Sequence, residues 1–420
     1  MIYNGSSYNE NWKISKLAEL GTFARGVSKH RPRNDPKLFE NGKYPLVQTG
    51  DVKEATLYLS KHEQEYGDFG LKQSKLWNTG TLCITIAANI AETAILAYPM
   101  CFPDSIVGFS AYPEKSSEEF MYYIFEYIKK SIQNAATGSI QDNINLEYLM
   151  SLDFKIPEKK YQDMIVLILS SIDRKILINN AINDNLEQQA KLLYNYWFIQ
   201  FNFPDENGNP YYSSGGQLVW NKNLQQEIPQ DWRSGNLYDI ADYINGIACQ
   251  KYRPSDEEHS LPVVKIREMN GGITNDTERV SSTIPAKNVI SSGDILFSWS
   301  ASLEVIMWYG VDAGLNQHIF KVVPKSYFSS EYVYLQLSEY LIHFIKIAEA
   351  RKTTMGHITS EHLQDSHIIL PPANIIKKFS EYVRPIYQMK KQIANETSEL
   401  IKLRDWLLPM LMNGQATISD

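Results

Sequence analysis

The sequence predicts an α+β protein: two mixed α/β domains joined by two long helices that form an antiparallel coiled coil, with a pseudo-two-fold internal repeat. Three observations carry this prediction. The chain matches itself once, at an offset that settles at 214 residues. Long heptad-patterned segments follow Pro157 and Pro371. Before each of them lie short β-branched and aromatic runs punctuated by Gly, Pro and Asn.

The repeat is visible from the start. Trp12 opens WKISKLAELGTFARG and Trp232 opens WRSGNLYDIADYING, so the Trp-to-Gly spacing is the same in Trp12…Gly26 and Trp232…Gly246. YPLVQTGDV at Pro45 then pairs with LPVVKIREM at Pro262, and GTLCITI at Gly80 with GDILFSW at Gly293. Phe120-Met121-Tyr122 pairs with Tyr332-Val333-Tyr334. From Ile144/Ile358 through Leu149/Leu363, Pro157/Pro371 and Leu186/Leu400 to Leu193/Leu407 the offset is constant at 214. One part of the unit varies; the other is a fixed frame.

The chain accordingly divides into a first variable domain (1–156), a first helix (157–200), a Gly/Pro/Asn/Ser-rich connector (201–231), a second variable domain (232–370), a second helix (371–414) and a short tail (415–420). In each variable domain a helical pattern follows the strand runs, SSEEFMYYIFEYIKKSIQNAA and SSEYVYLQLSEYLIHFIKIAEA. In the first long helix the heptad positions read Ile165, Ile168, Ile172, Lys175, Asn179, Ile182, Leu186, Gln189, Leu193 and Tyr196. In the second they read Phe379, Tyr382, Ile386, Met389, Ile393, Glu396, Leu400, Leu403, Leu407 and Met410. The polar members fix register and orientation. Pro385 removes one backbone donor inside the second run and should kink it.

Composition excludes several classes. With 43% hydrophobic and 12% aromatic residues the chain is an ordinary globular one. Three cysteines, Cys83, Cys101 and Cys249, have neither disulfide-framework nor metal-like spacing. The longest apolar stretch is far below the roughly 18 residues of a membrane span. The N-terminus, MIYNGSSYNENW, has no apolar leader. A cytoplasmic, reduced protein is the expectation. The net charge of −7 argues against non-specific nucleic-acid binding by the chain as a whole, yet leaves room for local basic surfaces.

No catalytic constellation is encoded. Phosphate loops, zinc-peptidase helices, nucleophile elbows and dinucleotide fingerprints are all missing. Asn209-Pro210-Tyr211-Tyr212 lacks the second proline of an amino-methyltransferase loop, and His357, His362 and His367 have no histidine counterparts in the first half. Binding chemistry remains. Lys29, Arg31 and Arg33 follow Gly26; Lys251 and Arg253 follow Gly246 at the matching place. Lys265 and Arg267 alternate along VVKIRE, which predicts one strand face, and Gln48 and Thr49 occupy the corresponding region of the first half. Polar loops TGSIQDNIN and ARKTTMGHIT close the variable domains and supply Gln141, Asn143, Lys352 and His357. These side-chain types suit base edges and phosphates.

The chain resembles the specificity (S) subunit of type I restriction–modification systems over essentially its whole length. The resemblance rests on Trp12…Gly26 and Trp232…Gly246, on the Gly80 and Gly293 strands, and on the helix endings QQAKLLYNYWFIQF and ELIKLRDWLLPMLMNGQ. The Phe203-Pro204-Asp205…Gly208 connector and Glu227-Ile228-Pro229 before Trp232 add to it. It implies that each variable domain reads one half of a bipartite, asymmetric site in double-stranded DNA. The helices would set the spacer and dock two methylation (M) subunits, with Ile172, Asn179, Leu186, Leu193, Ile386, Ile393, Leu400 and Leu407 at the coiled coil. It further implies two restriction (R) subunits, no membrane, and no catalytic residue, metal or cofactor in this chain. S-adenosylmethionine would belong to the methylation subunit, and ATP and Mg to the restriction subunit. The alternative is a silent scaffold or decoy that docks the methylation subunit without reading sequence.

Overall fold

In the computed structural model, residues 2–138, 146–255, 259–274, 276–350 and 358–418 are described. The chain forms two compact units, Met1–Ile178 with Thr397–Asp420, and Asn179–Glu396. The boundary between them falls inside both long helices and does not set the helices apart from the variable domains.

The first unit holds two main sheets. One runs Gly21–Arg25, Ile106–Ala111, Leu82–Thr85, Thr93–Leu96 and Tyr58–Leu59; it is antiparallel except for the last, parallel pairing. The other runs Gln64–Tyr66, Tyr44–Leu46, Met100–Cys101 and Leu76–Trp77, with one parallel pairing at its centre. Lys13–Lys16, directly after Trp12, pairs with Asp153–Ile156. The helix Glu118–Gly138 packs on the larger sheet, and Phe109, Phe120, Phe125 and Phe154 are fully buried there.

The second unit repeats this plan. Ala241–Asn245, Ile319–Pro324, Ile295–Ser298 and Glu304–Met307 form an antiparallel sheet. Arg279–Ser281, Ser260–Val264, Ala313–Leu315 and Val289–Ile290 form the second, again with a parallel central pairing. Arg233–Gly235, after Trp232, pairs with Ile368–Leu370. The helix Ser330–Ala350 buries Tyr332, Leu337 and Phe344 against Phe297. The segment read as a connector is structured: Leu218–Asn221 and Gln226–Pro229 form a hairpin. Phe203 stacks on Trp232 at 5.0 Å and on Tyr211 at 4.7 Å. Two apolar anchors within it, Phe203 and Ile228, join it, together with Trp232 just beyond it, to the unit's core.

The repeated glycines have a common cause. A Cβ on Gly26 would lie 2.2 Å from the Pro103 carbonyl oxygen, and one on Gly246 would lie 2.0 Å from that of Asn316. No side chain fits either gap. Gly80 and Gly293 both adopt positive φ, at +85° and +108°, in the turn entering the central strand, a conformation that favours glycine.

The long helices are Lys159–Tyr194, continued by a π-helical turn Asn195–Ile199, and Ala373–Met412. Contacts within each unit run antiparallel. In the first, Arg404 Nη1 donates to Asp173 Oδ1 at 3.2 Å and Tyr161 Oη donates to the Ala416 carbonyl. In the second, Asn179 Nδ2 donates to Glu396 Oε2 at 2.9 Å, Lys390 pairs with Glu187, and Trp197 meets Phe379 at 5.5 Å.

Half of the expected seam is displaced by one residue. Ile165, Ile172, Asn179 and Leu186 are buried as predicted, but their partners are Leu169, Ile176 and Ala190; Lys175, Ile182 and Gln189 are exposed. In the second helix Val383 and Leu411 are buried and Lys390 and Arg404 face inward, while Tyr382, Met389 and Leu403 are 60%, 50% and 43% exposed. The two alternations, three-then-four and four-then-three, share every second position, so spacing alone left the other set open. The second helix runs unbroken through Pro385, which is exposed, as is Glu381, whose carbonyl loses its donor on the solvent side.

Two predictions follow from this packing. Gly246→Ala should destabilise the second unit by about 2 kcal/mol through overpacking; hydrogen exchange should show it as lost protection at Gly246 and Ile247. Arg404→Met should leave the buried Asp173 carboxylate with Tyr123 Oη as its donor, at 2.7 Å. Loss of the cation should lower stability by roughly 3 kcal/mol in urea titration.

Candidate nucleic-acid interface

The strands Gly21–Arg25 and Leu82–Thr85 flank Ile106–Ala111, and Arg25 and Thr85 sit opposite Val107 and Ile106 at the same end of the sheet. The second unit repeats this, with Asn245 and Ser298 opposite Phe320 and Ile319. The chain leaves each sheet end through the tight glycine. In the first unit it carries Lys29, Arg31 and Arg33; in the second, Lys251 and Arg253. All five are exposed.

Their electrostatic settings differ. Arg33 Nη2 donates to Asp104 Oδ1 at 2.7 Å, and Arg31 lies 3.9 Å from the other oxygen of that carboxylate. Arg31 also donates to the Ser28 carbonyl at 2.7 Å. His30 holds Asp35 at 2.7 Å; that bond and the Lys37 N–H keep the Asp35 carboxyl below its ordinary range. The first segment is thus tied to itself and to the 103–105 turn. Among the described residues, Lys29, Lys251 and Arg253 have no ion-pair partner.

Lys265 and Arg267 do not share a strand face. The strand stops at Val264, and Lys265 caps the helix Ile266–Gly271, which contains Arg267. Glu268 is responsible: its carboxylate, buried at position three of the helix, accepts the Lys265 backbone N–H at 3.2 Å and also pairs with Arg267 at 2.6 Å. The apolar alternation masked this cap. The first unit builds the same cap, since Gln48 N–H donates to Asp51 Oδ2 at 2.7 Å and Thr49 starts the helix Thr49–Glu54. Both cap side chains are engaged near the start of the antiparallel neighbour of the strand they follow, Gln48 with Gln64 at 3.4 Å and Lys265 with Glu278, the residue before Arg279–Ser281. Gln141, Asn143, Lys352 and His357 lie outside the described residues.

On the helices Ile172, Asn179 and Leu186 are buried, and Leu193, Ile386, Ile393, Leu400 and Leu407 are partly buried. They fill the seam between the helices. Apolar residues on the outer faces, Leu167, Leu192, Tyr382 and Trp406 among them, stay more than half exposed.

Sequence reasoning missed the polar groups at the same sheet ends. Trp299 Nε1 donates to Asn245 Oδ1 at 3.2 Å, and the Trp299 ring lies 5.6 Å from the His318 ring. The loops after the central strands, at Thr85 and Ser298, are closed alike: Glu92 N–H donates to Thr85 Oγ1 at 2.9 Å and Glu304 N–H to Ser298 Oγ at 3.0 Å. The usable signal was the offset of 213 that aligns Thr85 with Ser298. The three thiols are buried, and burial pushes those of Cys101 and Cys249 up to about 11, so neither offers a thiolate nucleophile near neutrality. No helix among the described residues is long and apolar enough to cross a membrane.

The sequence model of the type I restriction modification DNA specificity domain matches residues 9–188 and 229–403. The chain is 23% identical over 433 residues to the type I restriction enzyme MjaIX specificity subunit of Methanocaldococcus jannaschii, covering 98% of this chain and 95% of that one. It is 24% identical over 349 residues to the HindI specificity subunit of Haemophilus influenzae, covering 69% and 74%. The crystal structure of a type I restriction-modification S subunit from M. genitalium shares the fold over the full length of both chains, with a TM-score of 0.56 at 15% identity. Two matched copies of the domain, each with its own pinned basic segment, place this chain in the type I restriction–modification specificity subunit family.

Proposed function

We propose that this chain reads DNA sequence for a type I restriction–modification complex, each unit recognising one half of a bipartite, asymmetric site. The observation that carries the reading is the repeated sheet end. In both units a glycine-pinned segment carries exposed cations away from a sheet end that is closed by a short polar turn, while the rest of the surface keeps the chain acidic. Cations of this kind hold phosphates and fix docking, and the polar groups beside them meet base edges. The long helices set the unread gap between the half-sites; at 1.5 Å per residue the 40-residue second helix is about 60 Å long. That exceeds the roughly 34–36 Å between half-sites one helical turn apart.

In this reading the helices also dock two methylation subunits, which supply S-adenosylmethionine and transfer the methyl group to adenine. Two restriction subunits bring ATP and Mg. This chain contributes binding and registration, with no catalytic group of its own. The net charge of −7 fits a subunit whose partners share the phosphate contacts.

The direct test is to sequence host DNA for N6-methyladenine with and without this gene, keeping the methylation subunit in both strains. A split motif of two short blocks, a fixed gap and one methylated adenine per strand should vanish with the gene. An unchanged methylation pattern overturns the reading. Binding gives a second expectation. Lys251→Ala and Arg253→Ala, each removing an exposed cation, should weaken binding about equally for all sequences. Each should also lower the slope of log affinity against log salt by about one; an unchanged slope would place these residues off the DNA.

A further inference from the structure

The two sheet ends are superimposable in their backbone bonding and different in their chemistry. Gly26 N–H donates to the Ile106 carbonyl at 2.8 Å, and Gly246 N–H to that of Ile319 at 2.9 Å. Val27 bonds Phe102 at 3.1 Å; Ile247 bonds Leu315 at 2.9 Å. Ile86 N–H reaches the Ser105 carbonyl at 3.0 Å, and Trp299 N–H reaches that of His318 at 3.2 Å. A tight turn closes each set, Ile106 N–H to Pro103 at 3.0 Å and Ile319 N–H to Asn316 at 3.1 Å. The tips of these turns are Asp104-Ser105 and Gln317-His318.

A protein that reads two unlike half-sites from one duplicated framework needs a docking frame that stays the same and head groups that do not. The four matched bonds are such a frame. Within it the tips hold an acceptor-only carboxylate and a hydroxyl in one unit, and an amide and an imidazole in the other. The surroundings differ in the same sense. Asp104 lies against Arg33 and Arg31, whereas His318 lies beside Trp299, which is bonded to Asn245. The turn tips project beyond their sheets and none is buried.

We propose that these two turns, Asp104-Ser105 and Gln317-His318, determine which bases each unit reads, an inference that rests on the DNA-reading function proposed above. Gln317 has the paired donor and acceptor that match an adenine edge. Asp104 accepts only, which selects a cytosine amino group, and it holds Arg33, whose guanidinium suits a guanine edge. In that second role it is a positioning residue.

The test reads the methylated motif in a host carrying the complete complex with Asp104→Ala, Gln317→Ala or His318→Ala. Gln317→Ala and His318→Ala should relax one and the same block of the motif, with discrimination at the affected base falling roughly 10- to 100-fold. Asp104→Ala should relax the other block. If all three relax the same block, or if the motif is unaltered while methylation continues, the inference is overturned. Should an alanine variant abolish methylation altogether, the near-isosteric Asp104→Asn and Gln317→Glu decide. A changed base preference confined to one block supports the inference, and an unaltered motif ends it. A wild-type complex that methylates no split motif would instead remove the proposed function itself.

Discussion

In each unit the chain passes from its sheet to its cation-bearing segment through a gap too narrow for a methyl group. The close approach of Gly26 to the Pro103 carbonyl, and of Gly246 to that of Asn316, lets the strand stay bonded to its neighbour until it turns away. Because the nearest atoms closing the gap are backbone carbonyls, the direction in which the segment leaves is set by main-chain geometry. The side chains beyond the glycine are then free to differ, Lys29, Arg31 and Arg33 in one unit and Lys251 and Arg253 in the other, without altering the frame that presents them.

A second constraint acts along the helices. Their seam is only partly apolar, and buried polar contacts contribute little net stability while tolerating few partners. Asp173 with Arg404, Asn179 with Glu396, and Glu187 with Lys390 each need the opposite helix at one register. The core of each unit, with Ile165, Leu169 and Leu411 in the first and Phe379 and Val383 in the second, supplies the apolar burial that these contacts do not.

Much of this was legible in the sequence because it is repeated there. The Trp-to-Gly spacing located the sheet end; the constant offset of 214 located the helices. The residues that escaped did so for identifiable reasons. Lys265 and Arg267 sit in an apolar alternation that Glu268 interrupts, and a carboxylate capping a backbone N–H leaves no mark on hydrophobic periodicity. Ile176 and Ala190 lost their places in the predicted seam to Lys175 and Gln189 because both alternations fit the same anchors. Asp104, Gln317 and His318 belong to a two-residue turn whose side chains differ between the halves. A search for likeness passes over such positions.

The polar contacts of the seam do not obey the repeat. An offset of 214 carries Asp173, Asn179 and Glu187 onto Tyr387, Ile393 and Ile401, and carries Lys390, Glu396 and Arg404 back onto Ile176, Ile182 and Ala190. Two copies of the first helix meeting in the same antiparallel register would set Asp173 against Ala190 and Glu187 against Ile176, so neither carboxylate would meet a cation from the opposite helix. Each helix therefore offers its opposite polar partners that its own copy lacks. The duplication has become one-way: the halves still share a fold, but they are no longer interchangeable parts.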